Sequence, residues 1–438
     1  MRYLIIGSGV AGIAACEAIR SLDSAGEIIL ASEDPHGYYS RPGLAYYLAN
    51  ELPEKLLFPL DANGWRRLNL SWLGDRAVRL YPEARQVAFA KAGRLGYDRL
   101  LLAVGSSAAP LTTPGADCQG VVKLDHLEDA RQILKQARRG RTAVVVGGGI
   151  TALELVEGLA ARKVRVHYLL RGERYWNNVL DAEESEIVLS RLRHEGVTIH
   201  TGAEVGEILD GRGQVGGVRL TGGEIIRCNL VAYAIGIRPR LELAVDAGLA
   251  VDRGVLVDER LQTSAPDVYA AGDVAQVYDP VSGRSVLDSL WGPAREQGYA
   301  AGLNMAGQAA AYRKPVAYNV TRLTGLTTTI IGAVGSGRDL DMVSIARGDS
   351  ETWREAPAGI VADARSDVNR LRLLVGETTL LGAVVMGDQT LSRPLQRLIS
   401  DAIDVTPIRS ALLAPGAQLG ELILTFWHSI QAKGSYGT

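Results

Sequence analysis

The stretch Arg2-Tyr3-Leu4-Ile5-Ile6-Gly7-Ser8-Gly9-Val10-Ala11-Gly12 decides how this chain folds, because the same grammar returns at Ala143-Val144-Val145-Val146-Gly147-Gly148-Gly149-Ile150-Thr151-Ala152. In each copy an apolar run predicts a buried strand, the glycines predict a tight turn, and the Ala/Leu/Glu-rich residues beyond predict a helix. That context suits a pyrophosphate: glycines let the backbone approach it, and the helix N-terminus offers free N–H groups and a positive dipole end. One such turn is commonplace. Two in register argue for two dinucleotides on one chain.

With 438 residues the chain is too long for one ordinary core, so several domains are expected. Its 47% hydrophobic and 22% charged residues suit a globular protein. A formal net charge of −2 gives no electrostatic reason to expect nucleic acid or an anionic membrane. Cys16, Cys118 and Cys228 form no C-x-x-C pair, metal-ligand spacing or disulfide framework, so no metal site is expected. The first strand begins so close to Met1 that no targeting segment is expected, and no apolar run reaches the roughly 20 residues of a bilayer span. A cytoplasmic protein is the expectation.

Over the first 300 residues or so, strand-like and helix-like stretches alternate, which predicts an α/β architecture with mostly parallel sheets. Strands are predicted at 2–6, 28–31, 98–104, 143–146 and 164–170, with the first helix at 10–21. Chain crossings between domains are expected at the Pro/Ser/Thr-rich run 106–114 and near 233–239. Beyond residue 310, strand-like runs at 327–331, 371–375 and 380–385 accompany a helical segment at 391–402, suggesting a separate α+β domain.

Beyond the first glycine turn, Glu33 stands just after the second strand, where a carboxylate accepts hydrogen bonds from an adenosine ribose. Further on, Tyr97-Asp98-Arg99-Leu100-Leu101-Leu102-Ala103-Val104-Gly105-Ser106 and the run 263–273 (TSAPDVYAAGD) follow in order. With these motifs the chain resembles the pyridine nucleotide–disulfide oxidoreductase superfamily, flavoproteins that hold FAD and a nicotinamide dinucleotide on two similar domains. The resemblance implies two Rossmann-like domains, the NAD(P) domain (111–232) inserted in the FAD domain (1–110 and 233–308), followed by a C-terminal α+β interface domain (309–438). It assigns Gly7, Gly9, Val10, Ala11, Gly12, Glu33, Ala103, Val104, Gly105, Gly272 and Asp273 to FAD, with Asp273 on the ribityl chain. It also implies that the helix opened by Trp291-Gly292-Pro293-Ala294 points its N-terminus at the flavin, placing Trp291 and Ala294 there.

The second turn is assigned to NAD(P) through Gly147, Gly149, Ile150 and Thr151, together with Gly236 in the second crossing. In the family, a glutamate matching Glu154 lies near the nicotinamide carboxamide. NADH-preferring relatives usually carry a carboxylate where Leu170 stands here, and Arg171 follows it. Without that acid a 2′-phosphate is not repelled and a guanidinium can grip it, so the residues lean to NADP while leaving NAD open.

Disulfide reductases of the superfamily carry a redox cysteine pair beside the flavin, and coenzyme A disulfide reductases carry one cysteine in a comparable loop. Here that loop is Tyr38-Tyr39-Ser40-Arg41-Pro42-Gly43-Leu44, without cysteine. Ser40-Arg41-Pro42 instead resembles the loop of the branch that exchanges electrons with rubredoxin, ferredoxin or a sirohaem nitrite reductase, which adds Arg41 and Pro42 to the FAD residues. No residue is singled out as catalytic; Glu154 and Trp291 are expected near the nicotinamide and flavin. The expected partner is therefore a small redox protein or an iron–sulfur subunit, in a homodimer or a hetero-complex, with an oxidase or quinone reductase as the alternative. The C-terminal run 419–430 offers a Leu422/Phe426/Ile430 face, either a docking patch or the closure of its own domain's core.

Overall fold

The computed structural model describes residues 1–335, 345–355, 358–366 and 369–432. Both glycine turns spring from the centre of a five-stranded, wholly parallel sheet. In the first, Arg2–Ile6 lies between Glu27–Ala31 and Arg99–Leu102, with Ser71–Leu73 and Val268–Ala270 at the edges. In the second, Thr142–Val146 lies between Arg165–Leu169 and Leu230–Tyr233, flanked by Thr198–His200 and Val121–Lys123. Strands covered on both faces need unbroken apolar runs, and Leu4, Ile5, Val144 and Val145 are fully buried. These are the two Rossmann-like sheets expected from the repeat.

The whole second sheet falls between two neighbouring strands of the first, Arg99–Leu102 and Val268–Ala270. The chain leaves through Ser106–Ala108 and returns through Ile237–Pro239, and these two crossings pair antiparallel. The crossing expected at 106–114 thus begins as a strand hydrogen-bonded along its backbone to the other crossing.

Against the first sheet, helix Val10–Leu22 packs on helix Trp291–Met305 with almost no side chain between them. A Cβ on Gly298 would lie 2.1 Å from the Ala11 carbonyl oxygen, and one on Gly302 would lie 2.5 Å from that of Ala15. This contact carries Ala294 and the Gly272 turn up to the first glycine turn.

The remainder forms an antiparallel sheet in the order Tyr318–Leu323, Leu326–Gly332, Leu380–Met386, Asn369–Val375, Ile360–Ser366. Helices Ser392–Ser400, Thr406–Leu412 and Leu419–Ala432 join its core through Leu395, Leu398, Leu412 and Ile423. Leu422, Phe426 and Ile430 are half-buried and pack against that same core. Arg372 ties this sheet to the second parallel sheet: its guanidinium donates to both Glu184 carboxylate oxygens (2.8 and 3.0 Å) and to the Val334 carbonyl (2.7 Å). Among the described residues, no helix is long and apolar enough to cross a membrane.

Candidate functional site

A cleft of about 850 Å³ opens at the C-terminal edge of the first sheet, the place where open α/β sheets bind ligands. Of the residues the sequence singled out, it is lined by Gly7, Gly9, Val10, Ala11, Glu33, Arg41, Ala103, Val104, Gly105, Gly272, Asp273 and Ala294. Gly12 stands behind the turn, where a Cβ would lie 2.0 Å from the Gly7 carbonyl oxygen. Pro42 is exposed at the start of helix Gly43–Leu48. Trp291 is 47% exposed and hydrogen-bonded to the Tyr38 hydroxyl, outside the cleft lining.

The first turn is shaped by close approach. Gly7 has φ +115°, and a Cβ there would lie 2.1 Å from the Ala103 carbonyl oxygen. Gly9, which caps the helix, has open space within 4 Å of where its Cβ would stand. The backbone is thus bare toward the cleft, where a pyrophosphate would meet the helix N-terminus. Beyond it, the Ser106 hydroxyl (2.6 Å) and the Ser289 hydroxyl (3.3 Å) donate to Asp273 Oδ2, fixing this carboxylate at the cleft wall. The Gly272 N–H donates to Gln297 Oε1 (2.8 Å), so helix Trp291–Met305 holds the turn that carries Asp273.

The opposite end of the cleft is polar. Arg240 donates to Glu33 Oε1 (3.0 Å) and lies 3.3 Å from the His126 ring. Burial and the nearby Arg41 push the His126 imidazole below its ordinary value. Arg41 in turn lies over the Tyr39 ring, 6.0 Å from its centroid. Volume, bare turn, the Glu33 and Asp273 carboxylates at the walls and the wall cations together fit FAD. Arg240 escaped the sequence reading, having no motif of its own; Ser106 closes the run 97–106 and Ser289 and Gln297 flank the residues that open the Trp291 helix, but their bonds to Asp273 and Gly272 exist only after folding.

The second turn copies the first. Gly147 has φ +142°, a Cβ there would lie 2.2 Å from the Ala234 carbonyl oxygen, and Gly149 caps helix Ile150–Ala161. Gly149, Thr151 and Gly236 line a cavity of only about 20 Å³, together with Ala346 and Arg347 of the C-terminal part of the chain. Ile150 is buried. One turn farther along the helix, burial and the neighbouring Glu157 push the Glu154 carboxyl up to about 8, against the pull of Arg347. Leu170 is buried; Arg171 is exposed and lies 3.8 Å from Glu204, a carboxylate on the adjoining loop.

Among the described residues lining either cavity there is no cysteine. Burial pushes the Cys16 thiol up to about 12 and that of Cys228 to about 11, which keeps both protonated.

Comparison with known proteins agrees with this geometry. Residues 1–298 match the family model described as pyridine nucleotide-disulphide oxidoreductase. The ferredoxin--NAD(+) reductase component of the biphenyl dioxygenase system of Paraburkholderia xenovorans (strain LB400) is 32% identical over 353 residues, covering 80% of this chain and 84% of that protein. The epsilon subunit of the NADH-dependent phenylglyoxylate dehydrogenase of Aromatoleum evansii is 27% identical over 97% of both. In fold, the reductase chain of the covalent putidaredoxin reductase–putidaredoxin complex superposes with a TM-score of 0.84 at 23% identity, covering 97% of this chain and 98% of that one. The chain belongs to the pyridine nucleotide-disulphide oxidoreductase family and is an FAD- and pyridine-nucleotide-dependent oxidoreductase.

Proposed function

We propose that this chain passes hydride between a pyridine nucleotide at the second glycine turn and FAD in the open cleft, and exchanges electrons between that FAD and a separate redox protein. The observation that carries this reading is the lining of the junction. Ser106, Asp273 and Ser289 stand on one side, Gly149 and Gly236 on the other, and among the described residues lining either cavity there is no thiol to receive the electrons. FAD, when bound, supplies both hydride and one-electron chemistry. The chain's own work is placement. Gly7, Gly9 and the helix N-terminus would take the pyrophosphate, Glu33 the adenosine ribose and Asp273 the ribityl hydroxyls, while Gly149, Thr151 and Gly236 would seat the second dinucleotide. In this reading 1–110 with 233–308 forms the FAD unit, 111–232 the NAD(P) unit and 309–438 the interface domain.

Within the pyridine nucleotides, Leu170 and Arg171 support NADPH, since no acid stands where it would repel a 2′-phosphate. Glu204 beside Arg171 and the relatives named for NAD(+) or NADH support NADH.

Anaerobic stopped-flow reduction of the FAD-loaded protein by NADH and by NADPH tests the first half-reaction. Reoxidation by rubredoxin, ferredoxin, oxygen and menadione tests the second. Rapid bleaching of the flavin by one nucleotide and fastest recovery with an iron–sulfur protein are expected. Bleaching by neither would sink the proposal, and recovery fastest with oxygen or menadione would replace it by an oxidase or quinone reductase. A second reading, a flavin subunit of a larger complex, draws on the end-to-end likeness to the phenylglyoxylate dehydrogenase subunit. Co-purification of an iron–sulfur protein in fixed stoichiometry is its test, and a clean monomer or homodimer would remove it.

A further inference from the structure

Residues 345–350 form a strap that crosses from the C-terminal part of the chain to the junction between the two parallel sheets. On one side the Ile237 N–H donates to the Ile345 carbonyl (2.9 Å), next to Gly236. On the other, Ser289 N–H donates to the Asp349 carbonyl and Gly348 N–H to the Ser289 carbonyl, both at 2.9 Å. Ser289 is the residue whose hydroxyl reaches Asp273. The strap is thus pinned to both dinucleotide sites at once. Its root is equally well held: Trp353 is fully buried and packs edge-on against Trp176 (5.9 Å between centroids), whose backbone N–H donates to the Gly148 carbonyl (3.2 Å).

What the strap delivers is one guanidinium. Ala346 sits against Gly149, where an added Cβ would be 3.3 Å from the Ala346 Cβ. Arg347 then lines the small cavity beside Gly149, Thr151 and Gly236. It pairs with Asp125 Oδ1 and donates to the Asp125 carbonyl (3.1 Å). Asp125 is 1% exposed, and despite that burial Arg347, His126 and Lys123 hold its carboxyl below the usual carboxylate range. The cavity of about 20 Å³ has no room for a nucleotide while Arg347 keeps this position.

We propose that Arg347 is a pyridine-nucleotide-binding residue, whose guanidinium exchanges Asp125 for the pyrophosphate when the dinucleotide seats on the second glycine turn. A cation beside a helix N-terminus that already offers N–H groups to an anion completes a phosphate site, and the planar fork matches two phosphate oxygens. Asp125 is its resting partner, which keeps a buried positive charge from standing alone in the empty site. The inference deepens the reading of the second turn as the pyridine-nucleotide site and rests on it.

The test is calorimetric titration of the FAD-loaded protein with ADP-ribose, which carries the pyrophosphate without the nicotinamide. It is joined to flavin reduction by dihydronicotinamide riboside, which carries the nicotinamide without the pyrophosphate. R347Q should weaken ADP-ribose by roughly tenfold to a hundredfold, the scale of a lost charge-assisted pair, and leave reduction by the riboside unchanged. R347K, which keeps the charge without the fork, should fall between and carries the test if R347Q does not retain FAD. ADP-ribose binding as tight as wild type in the variant tested would overturn this inference alone. So would loss of riboside reduction by the same factor, since Arg347 would then act by bracing the junction. Failure of the wild-type protein to bind ADP-ribose would overturn both the inference and the site reading.

Discussion

The two glycine turns are near-copies in backbone and opposites in accessibility. Both begin with a glycine at positive φ pressed against a carbonyl oxygen, at 2.1 Å for Gly7 and 2.2 Å for Gly147. Both cap their helices with a glycine in extended conformation, Gly9 and Gly149. Yet the first looks into a cleft of about 850 Å³ and the second into about 20 Å³. The difference lies in what the rest of the chain lays over each turn. The first is left open between the Glu33 and Asp273 walls, as a resident cofactor requires. The second is overlaid by Ala346 and Arg347 from nearly 200 residues away in sequence. A local motif therefore fixes the turn, while distant segments fix how much space stands over it.

The largest effect should come from exchanging the residue at the third glycine position of each motif. Gly12 and Ala152 are equivalent, but the first turn is tighter: Gly7 N–H reaches the Ala31 carbonyl at 2.8 Å, whereas Gly147 N–H lies 3.4 Å from that of Leu169. A Cβ on Gly12 meets the Gly7 carbonyl at 2.0 Å, a backbone atom that cannot rotate away. Gly12→Ala should cost about 2–4 kcal/mol and empty the protein of FAD, whereas Ala152→Gly should cost about 1–2 kcal/mol, through helix propensity and one lost buried methyl, and retain FAD. Urea unfolding and the flavin absorbance of the purified variants check this. Equal losses at the two positions would break the comparison.

A pH-dependent effect separates the helices behind the turns. Ala14 in the first occupies the position of Glu154 in the second. An ordinary glutamate titrates near 4.5, and Glu154 is pushed up to about 8, so between these values the folded protein binds the extra proton. Stability must then decline as pH rises through that window, because ionisation is easier in the unfolded chain. Glu154→Gln should flatten that decline and gain about 4 kcal/mol at pH 8 against at most about 1 kcal/mol at pH 5, measured by denaturant midpoints. Glu157, raised to about 7 mainly by burial, leaves a residual slope. A decline of unchanged steepness in the variant would mean that Glu154 ionises freely.

The smallest expected effect concerns sulfur. Alkylation of the accessible thiols, or replacement of Cys118 and Cys228 by Ser and Ala, should change flavin reduction and reoxidation less than about twofold, since neither lines either cavity. A large loss of reoxidation with reduction intact would restore a thiol relay between the two sites.

The parallel strands were legible in sequence because each is an unbroken apolar run bounded by glycine or a charge. Arg2–Ile6, Thr142–Val146 and Arg165–Leu169 fall within a residue of their predicted bounds. The glycines and Glu33 were legible for a related reason: close backbone approach and a carboxylate at a strand's end are local demands with local signatures. Arg240 and Arg347 had no such signature, and Ser289, just before the helix-opening Trp291-Gly292-Pro293-Ala294, had none for its bond to Asp273. Each reaches its place through a crossing strand, a turn or a strap whose path is set by packing.

By itself the sequence determined two strand–glycine–helix cradles, their order and the absence of cysteine from the loop before Gly43, since backbone sterics and hydrophobic periodicity act over a few residues. Only the tertiary structure decided which cradle stands open, which carboxylate is clasped by Ser106 and Ser289, and which cation faces the second turn. Those choices depend on contacts such as Ser106–Asp273 and Arg347–Asp125, 167 and 222 positions apart, and burial, charge pairing and cavity volume exist only once such contacts have formed.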